Sequence, residues 1–281
     1  MKRTLLFTLV ALISVTSSFS QKDRDIALKS LDTKAKQYED IALEIWNLAE
    51  MGYMEIESAA LLQKTLSDQG FSIKKGVAGI PTAFTAEYGS GYPIIAILGE
   101  YDALPGLSQQ AVPEKKSADK AAGHACGHHL FGTGSTAATI AVKDWLKSSN
   151  TSGTIRFYGC PAEEGGSGKV YMVREGLFDD VDVALHWHPS SQNAASAGAA
   201  LANKSAKFRF YGTSAHAAGA PEMGRSALDG VEAMNNMVNK LREHSLPDSR
   251  IHYVIPRGGA APNVVPEFAE VYYYVRHPDM A

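Results

Sequence analysis

The sequence lacks an excess of positive charge: 27 Lys and Arg stand against 30 Asp and Glu, a net charge of −3 over 281 residues. Nucleic-acid binders more often carry a basic excess gathered on one face, so nothing points to that class. There is no low-complexity tract and no internal repeat, and the composition, 45% hydrophobic and 20% charged, is that of a soluble globular chain. Its length suffices for one large domain or two ordinary ones. Cysteine is scarce, with Cys126 and Cys160 the two in the chain. They permit one disulfide, but each sits inside a motif that reads as an active-site loop. A metal thiolate is therefore preferred for Cys126 and a small buried role for Cys160.

Long apolar runs are missing too. The run Leu5 to Val15 is too short to span a bilayer comfortably. Lys2 and Arg3 precede it and the small residues Ser18-Phe19-Ser20 follow, the order of a secretory signal peptide with cleavage before Gln21. No cysteine follows directly, so a lipoprotein anchor is not indicated. The expectation is an exported chain, periplasmic or secreted, whose leader (residues 1–20) takes no part in the fold.

What is present after the leader alternates in period. Helices are expected over Asp25 to Ala49 and Ile56 to Asp68, then short strands over Phe71 to Lys75, Ala83 to Tyr88 and Pro93 to Leu98. Ile94 to Leu98 is apolar on both faces, as a central strand covered by helices would be. A polar loop, Ser108 to Lys120, leads into a helix from about Thr133 to Lys147. A strand over Thr154 to Tyr158, a helix over Gly168 to Glu175 and a strand over Val181 to Leu185 follow. This alternation predicts an α/β sheet with parallel crossovers. Beyond residue 200 come a strand over Ala206 to Tyr211, a helix from Arg225 to Arg242, and strands over Arg250 to Ile255 and Phe268 to Val275. That order suits a small α+β domain.

Tyr101-Asp102, Pro161 to Glu164 and His186 each fall just after a strand, where open α/β sheets bind ligands. Cys126-Gly-His128 offers a thiolate and an imidazole one residue apart, a pair suited to zinc and related ions rather than calcium or magnesium. A second reading makes Cys126 a nucleophile activated by a histidine. In Pro161-Ala-Glu163-Glu164-Gly-Gly166 adjacent side chains diverge. One carboxylate can ligate a metal while the other takes and returns the proton of an attacking water. His186-Trp-His188-Pro189 offers a third ligand at a strand end. Alone, each motif is more readily a core residue or a solvated turn; together on one sheet edge they predict metal-assisted hydrolysis.

These residues, with Gly99-Glu-Tyr-Asp-Ala-Leu-Pro-Gly106, His124-Ala-Cys-Gly-His-His129, Ser214-Ala-His-Ala217, Gly258-Gly-Ala-Ala-Pro-Asn-Val-Val-Pro266 and Val275-Arg276, resemble the M20 metallopeptidase family over nearly all of residues 30–281. The likeness lies in the amidohydrolase branch of that family, and within it the type represented by the B component of aminobenzoyl-glutamate hydrolase. It implies a zinc-exopeptidase-like catalytic domain with helices on both faces of a mixed sheet (21–199). It also implies an inserted ferredoxin-like α+β lid that dimerises (200–281). By resemblance Cys126, His128, Glu164 and His186 would hold two divalent ions, zinc or manganese. Glu163 would be the general base and acid, and Asp102 a supporting acid. His216 would stabilise the oxyanion in the partner subunit's site, while Asn263 and Arg276 would grip the substrate's carbonyl or carboxylate. In this branch position 129 is commonly Asp, and here it is His. The family's catalytic domain resumes after the lid and supplies a last histidine ligand. The chain is therefore expected to be truncated at its C-terminus, with that ligand beyond Ala281. The expected activity is hydrolysis of the amide bond of a small carboxylated substrate: an N-acyl amino acid, aminobenzoyl-glutamate or a dipeptide. A homodimer is implied, with no nucleic-acid or membrane partner after cleavage. The alternative is an inactive relative acting as a binding or assembly protein.

Overall fold

The computed structural model describes residues 2–195 and 200–279, with side chains described from Asp23 onward. They form two compact units divided between Gln192 and Asn193. The first unit opens with α1 (Lys2–Leu48), which runs on from the stretch expected to be a leader, where only backbone is described. No helix among the described residues is long and apolar enough to cross a membrane.

After α1 and α2 (Ile56–Asp68), the strands β1 (Ser72–Lys75), β2 (Phe84–Ser90), β3 (Ile94–Gly99), β6 (Gly153–Gly159) and β7 (Val183–Leu185) form one sheet in the order β1-β2-β6-β3-β7. The two-residue strands β4 (Leu104–Pro105) and β5 (Ala122–Gly123) pair separately. The sheet is mixed: β1 and β2 run antiparallel to their neighbours, while β3 is parallel to β6 on one side and β7 on the other. Purely parallel crossovers, as the alternation suggested, hold for those three strands.

The two-sided apolar run of β3 explains its central place. On one face Ile95 and Ile97 pack with Ile45, Leu62, Leu66, Ile140 and Phe157, contributed by α1, α2, α3 (His128–Ser149) and β6. On the other, Ala96 and Leu98 pack with Tyr158, Cys160 and Met172. Met172 belongs to α5 (Gly168–Arg174), which follows the single turn α4 (Glu163–Gly166). Each fully buried side chain of this size contributes about 1.5–3 kcal/mol. Gly132 of α3 lies so near the end of β3 that a Cβ there would stand 2.6 Å from the Glu100 carbonyl oxygen. This close approach brings the α3 N-terminus to the strand ends.

That N-terminus differs from expectation. The helix starts at His128, not near Thr133, because Gly127 takes a left-handed φ of 84° and turns the chain into the helix. His128 and Phe131 then become fully buried first-turn residues.

The second unit has β8 (Ala202–Tyr211), α6 (Ala227–Leu241), β9 (Arg250–Arg257) and β10 (Phe268–His277), an antiparallel sheet in the order β8-β10-β9. Ser226 caps α6 by accepting from the Asp229 N–H at 3.1 Å. The helix packs Ala227 and Val231 onto Ala269, Val271 and Tyr273 of β10.

α1 is pinned to α3 by Asp144. Its carboxylate accepts from Ser30 Oγ at 2.6 Å, Lys34 Nζ at 2.7 Å and Lys143 Nζ at 2.6 Å. Burial alone would raise its pKa; the hydrogen bonds from Lys143, Lys34 and Ser30 outweigh burial and hold the carboxyl well below the usual carboxylate range. A carboxyl depressed on folding adds stability that is present above its unfolded pKa, near 4, and is lost as pH falls through the folded value. Asp144→Asn should therefore lower the stability of the fold by about 1 kcal/mol at pH 7. Denaturant titrations should show that difference shrinking below about pH 4; an equal difference at pH 3 and pH 7 would contradict it.

Candidate metal centre

Three parallel strands end on one edge, and their next residues carry the chemistry. The β3 register aligns Gly99 with Gly159 of β6, and Ile97 with Leu185 of β7. Glu100 and Asp102 therefore leave β3 beside the Cys160–Glu164 segment leaving β6 and the His186–His188 segment leaving β7. The α3 N-terminus adds Cys126 and His128.

His128 is completely buried at the centre. Its Nδ1 lies 2.8 Å from Asp102 Oδ1, and its Nε2 lies 3.1 Å from Glu100 Oε2 and 3.9 Å from Glu163 Oε2. Burial works against a proton on this imidazole; hydrogen bonding and charge from Asp102, with Glu100 and Glu164 behind it, outweigh burial and raise the pKa. Asp102 also accepts the Glu164 backbone N–H through Oδ2 at 2.8 Å. One buried carboxylate thus orients the imidazole and the acid pair together.

The donor set fits divalent metal. His128 Nε2, Glu100 Oε2 and Glu164 Oε1 are buried and none makes a hydrogen bond, although most buried polar atoms do. Two donor atoms each about 2.1 Å from one ion and 90–110° apart lie about 3.0–3.4 Å from each other. The Nε2–Oε2 separation of 3.1 Å falls in that range. A second pair, Cys126 Sγ and His188 Nε2 at 3.5 Å, has the wider spacing a longer metal–sulfur bond calls for. Cys126, His128 and His188 form one candidate ligand group, and Glu100, His128 and Glu163 another.

The surroundings of Cys126 bear on its two readings. Burial first, then the carboxylates of Glu164, Glu163 and Glu100, push its thiol up to about 12. A nucleophilic cysteine needs the opposite setting, whereas a bound dication supplies the charge that would release the proton. Cys160 is fully buried, unpaired with Cys126, and donates to the Tyr158 carbonyl.

Several participants escape sequence reasoning. Glu100 joins the centre as a neighbour of His128, and its second oxygen forms a very close ion pair with Lys169 of α5. The charge at position 169 is legible, but not that the turn after Gly166 aims it back at the strand end. Of the two histidines after β7, His188 reaches Cys126, while His186 stands edge-on to Phe131 with centroids 5.0 Å apart. His129 takes no part in orienting His128. It packs against Trp46 and His124, and burial lowers its pKa to about 4. Glu163 is half-exposed, its pKa raised by partial burial and by Glu100 and Glu164.

In the second unit His216 and Asn263 lie on adjoining segments, joined by the Ala217 N–H to Asn263 carbonyl bond at 3.0 Å. His216 Nδ1 accepts the N–H groups of Ala218 and Gly219 at 3.2 and 3.1 Å. That leaves the proton of the neutral ring on Nε2, free to donate. Arg276 lies on β10 over the Tyr274 ring, with Nε buried and unpartnered.

Residues 202–281 match the M20 peptidase dimerisation domain. Over 254 residues the chain is 49% identical to the B component of the p-aminobenzoyl-glutamate hydrolase of Escherichia coli (strain K12), covering 89% of this chain and 53% of that one. It is 32% identical to the Xaa-Arg dipeptidase of Mus musculus, covering 90% of this chain and 58% of that one. The chain thus spans little more than half the length of these curated relatives. Among solved structures, an aminobenzoyl-glutamate utilization protein from Klebsiella pneumoniae superposes with a TM-score of 0.58 at 21% identity, covering 90% of this chain and 69% of that one. A Bacillus subtilis protein described as a dinuclear metal binding peptidase from the M20 family gives a TM-score of 0.56 at 21% identity, covering 89% and 66%. At these identities the superpositions speak to the fold.

Replacing Asp102 by Asn should weaken divalent-metal binding by about 10–100-fold, because the carboxylate behind a ligating histidine sets its tautomer and orientation. Calorimetric titration with zinc measures this; unchanged affinity would show that His128 is oriented without Asp102.

Proposed function

This chain is of the M20 metallopeptidase family, and from that premise we propose that it is a metal-dependent amidohydrolase acting on the amide bond of a small carboxylated substrate. The observation that carries the reading is the meeting of buried His128 Nε2 and Glu100 Oε2 at 3.1 Å beside a half-exposed Glu163, with Cys126 Sγ and His188 Nε2 3.5 Å apart in a second group around the same imidazole. The relatives' names, one acting on aminobenzoyl-glutamate and one on dipeptides, support N-acyl amino acids, aminobenzoyl-glutamate and dipeptides as substrates.

Cys126, His128 and Glu164, with a histidine after β7, would hold two divalent ions. By resemblance that histidine is His186; by distance to Cys126 it is His188. Thiolate and imidazole favour zinc, while the carboxylates also tolerate manganese. When bound, the ions lower the pKa of a water and polarise the scissile carbonyl. Glu163 takes that water's proton and returns it to the departing amine, a role suited to a carboxyl whose pKa is raised. By resemblance His216 would donate from Nε2 to the oxyanion in the partner subunit's site, a kind of contact typically contributing about 10²–10³ in rate. Asn263 and Arg276 take the substrate's carbonyl and carboxylate, and the lid forms a homodimer. The leader directs export.

Glu163→Ala should lower kcat by about 10²–10⁴ while leaving metal content unchanged. Glu164→Ala should lower the metal content itself, and a chelator should abolish turnover of aminobenzoyl-glutamate. Unchanged turnover in Glu163→Ala, or activity that survives metal removal, would refute the reading. Export is checked by N-terminal sequencing of the secreted protein, which should begin at Gln21; a mature chain that retains Met1 would contradict it.

A further inference from the structure

The segment before α2 carries a buried carboxylate that the mechanism above does not use. Glu55 stands at the residue preceding α2, a position from which a short polar side chain ordinarily accepts the N–H groups of the first turn. It does not do so here. Glu50 takes that task, accepting from the Glu57 N–H at 3.1 Å and the Ser58 N–H at 2.8 Å. Glu55, fully buried, turns instead toward the end of β6. Its Oε1 accepts the Ala162 N–H at 2.7 Å and its Oε2 accepts from Thr82 Oγ1 at 3.1 Å.

Ala162 is the residue before the acid pair, and its backbone is left-handed, with φ 55° and ψ 44°. Side-chain-bearing residues avoid that region unless something holds them there. Two neighbours leave room for it. A Cβ on Gly52 would stand 3.1 Å from Ala162 Cα, and one on Gly166 would stand 2.7 Å from its methyl. Two residues on, the Glu164 N–H is accepted by Asp102 at 2.8 Å, and Tyr53 donates to the Gly166 carbonyl at 2.6 Å. Glu163 is thus suspended between two amides, each accepted by a buried carboxylate.

We propose that Glu55 is a positioning residue for the acid pair: by holding Ala162 left-handed, its carboxylate sets the direction in which Glu163 leaves the backbone. The assignment rests on the reading of Glu163 as general base. It differs from the role of Asp102, which also contacts His128. The Glu55 carboxylate accepts from Ala162 and Thr82, residues outside the candidate ligand groups. Removing it moves Glu163 without dismantling the ligand set.

The test compares E55A and E55Q with the unchanged, metal-loaded protein, using aminobenzoyl-glutamate as the probe and hydrogen exchange to follow the Ala162 amide. In E55A, kcat should fall about 10–100-fold, with KM within about threefold and metal per chain unchanged. The Ala162 amide should exchange at least tenfold faster, roughly the loss of one hydrogen bond. E55Q, whose amide oxygen still accepts that N–H, should keep kcat within about threefold. The assignment fails if E55A retains its kcat, if the Ala162 amide stays protected in E55A, or if E55Q loses as much as E55A. Should E55A not fold, E55D, one methylene short of Ala162, is read in the same way. An unchanged protein without turnover sinks the reading of Glu163; an active one whose E55A variant keeps its kcat sinks only that of Glu55.

Discussion

Asp102 leaves the end of β3 almost wholly buried, with both carboxylate oxygens engaged: one by the His128 imidazole and the other by the Glu164 backbone N–H. That pair of contacts joins the three pieces of the centre: strand end, α3 N-terminus and acid-bearing turn. The fold makes it available by aligning parallel strands so that their ends open on one edge, and by bringing α3 against β3 where Gly132 permits close approach. His128 can then be a first-turn residue with no exposure and still have a partner for Nδ1.

The same packing accumulates negative charge. Glu100, Asp102, Glu163 and Glu164 surround one imidazole and one thiol, and among the described residues the lysine or arginine paired with them is Lys169. Buried charges are expensive unless paired, and here the cost appears as raised pKa values at Cys126, His128 and Glu163. Cys126, His128 and the carboxylates around them are the residues that would hold divalent ions, whose positive charge would offset this accumulation and favour the thiolate of Cys126. A cysteine nucleophile would be poorly served by the same neighbours.

Much of the first unit is legible from periodicity alone. The two-sided apolar run of β3 gives its central position, and the alternation of strands and helices gives the edge where Cys126, His128, Glu163 and Glu164 gather. What is not legible depends on contacts distant in sequence. Gly127 turning left-handed to start α3 early has no local signature separating it from a loop glycine. Glu100 and Lys169 meet across 69 positions, and Glu55 reaches Ala162 across 107; no spacing rule connects them. Both His186 and His188 stand edge-on to Phe131, and what separates them is that His188 also reaches Cys126, a matter of side-chain packing. In the second unit, the two amides donated to His216 Nδ1 leave its Nε2 as the donor, a detail that hydrophobic pattern cannot supply.

The central claim, that this acidic pocket is a metal centre with Cys126 as a thiolate ligand, is tested most directly by counting protons. Zinc binding measured by calorimetry at pH 7 in buffers of different ionisation enthalpy reports the protons released on binding. With the thiol held up to about 12 in the metal-free protein, binding should release at least one proton per chain, and Cys126→Ser should release one fewer. Zinc binding with no proton release, or release unchanged in Cys126→Ser, would contradict the account.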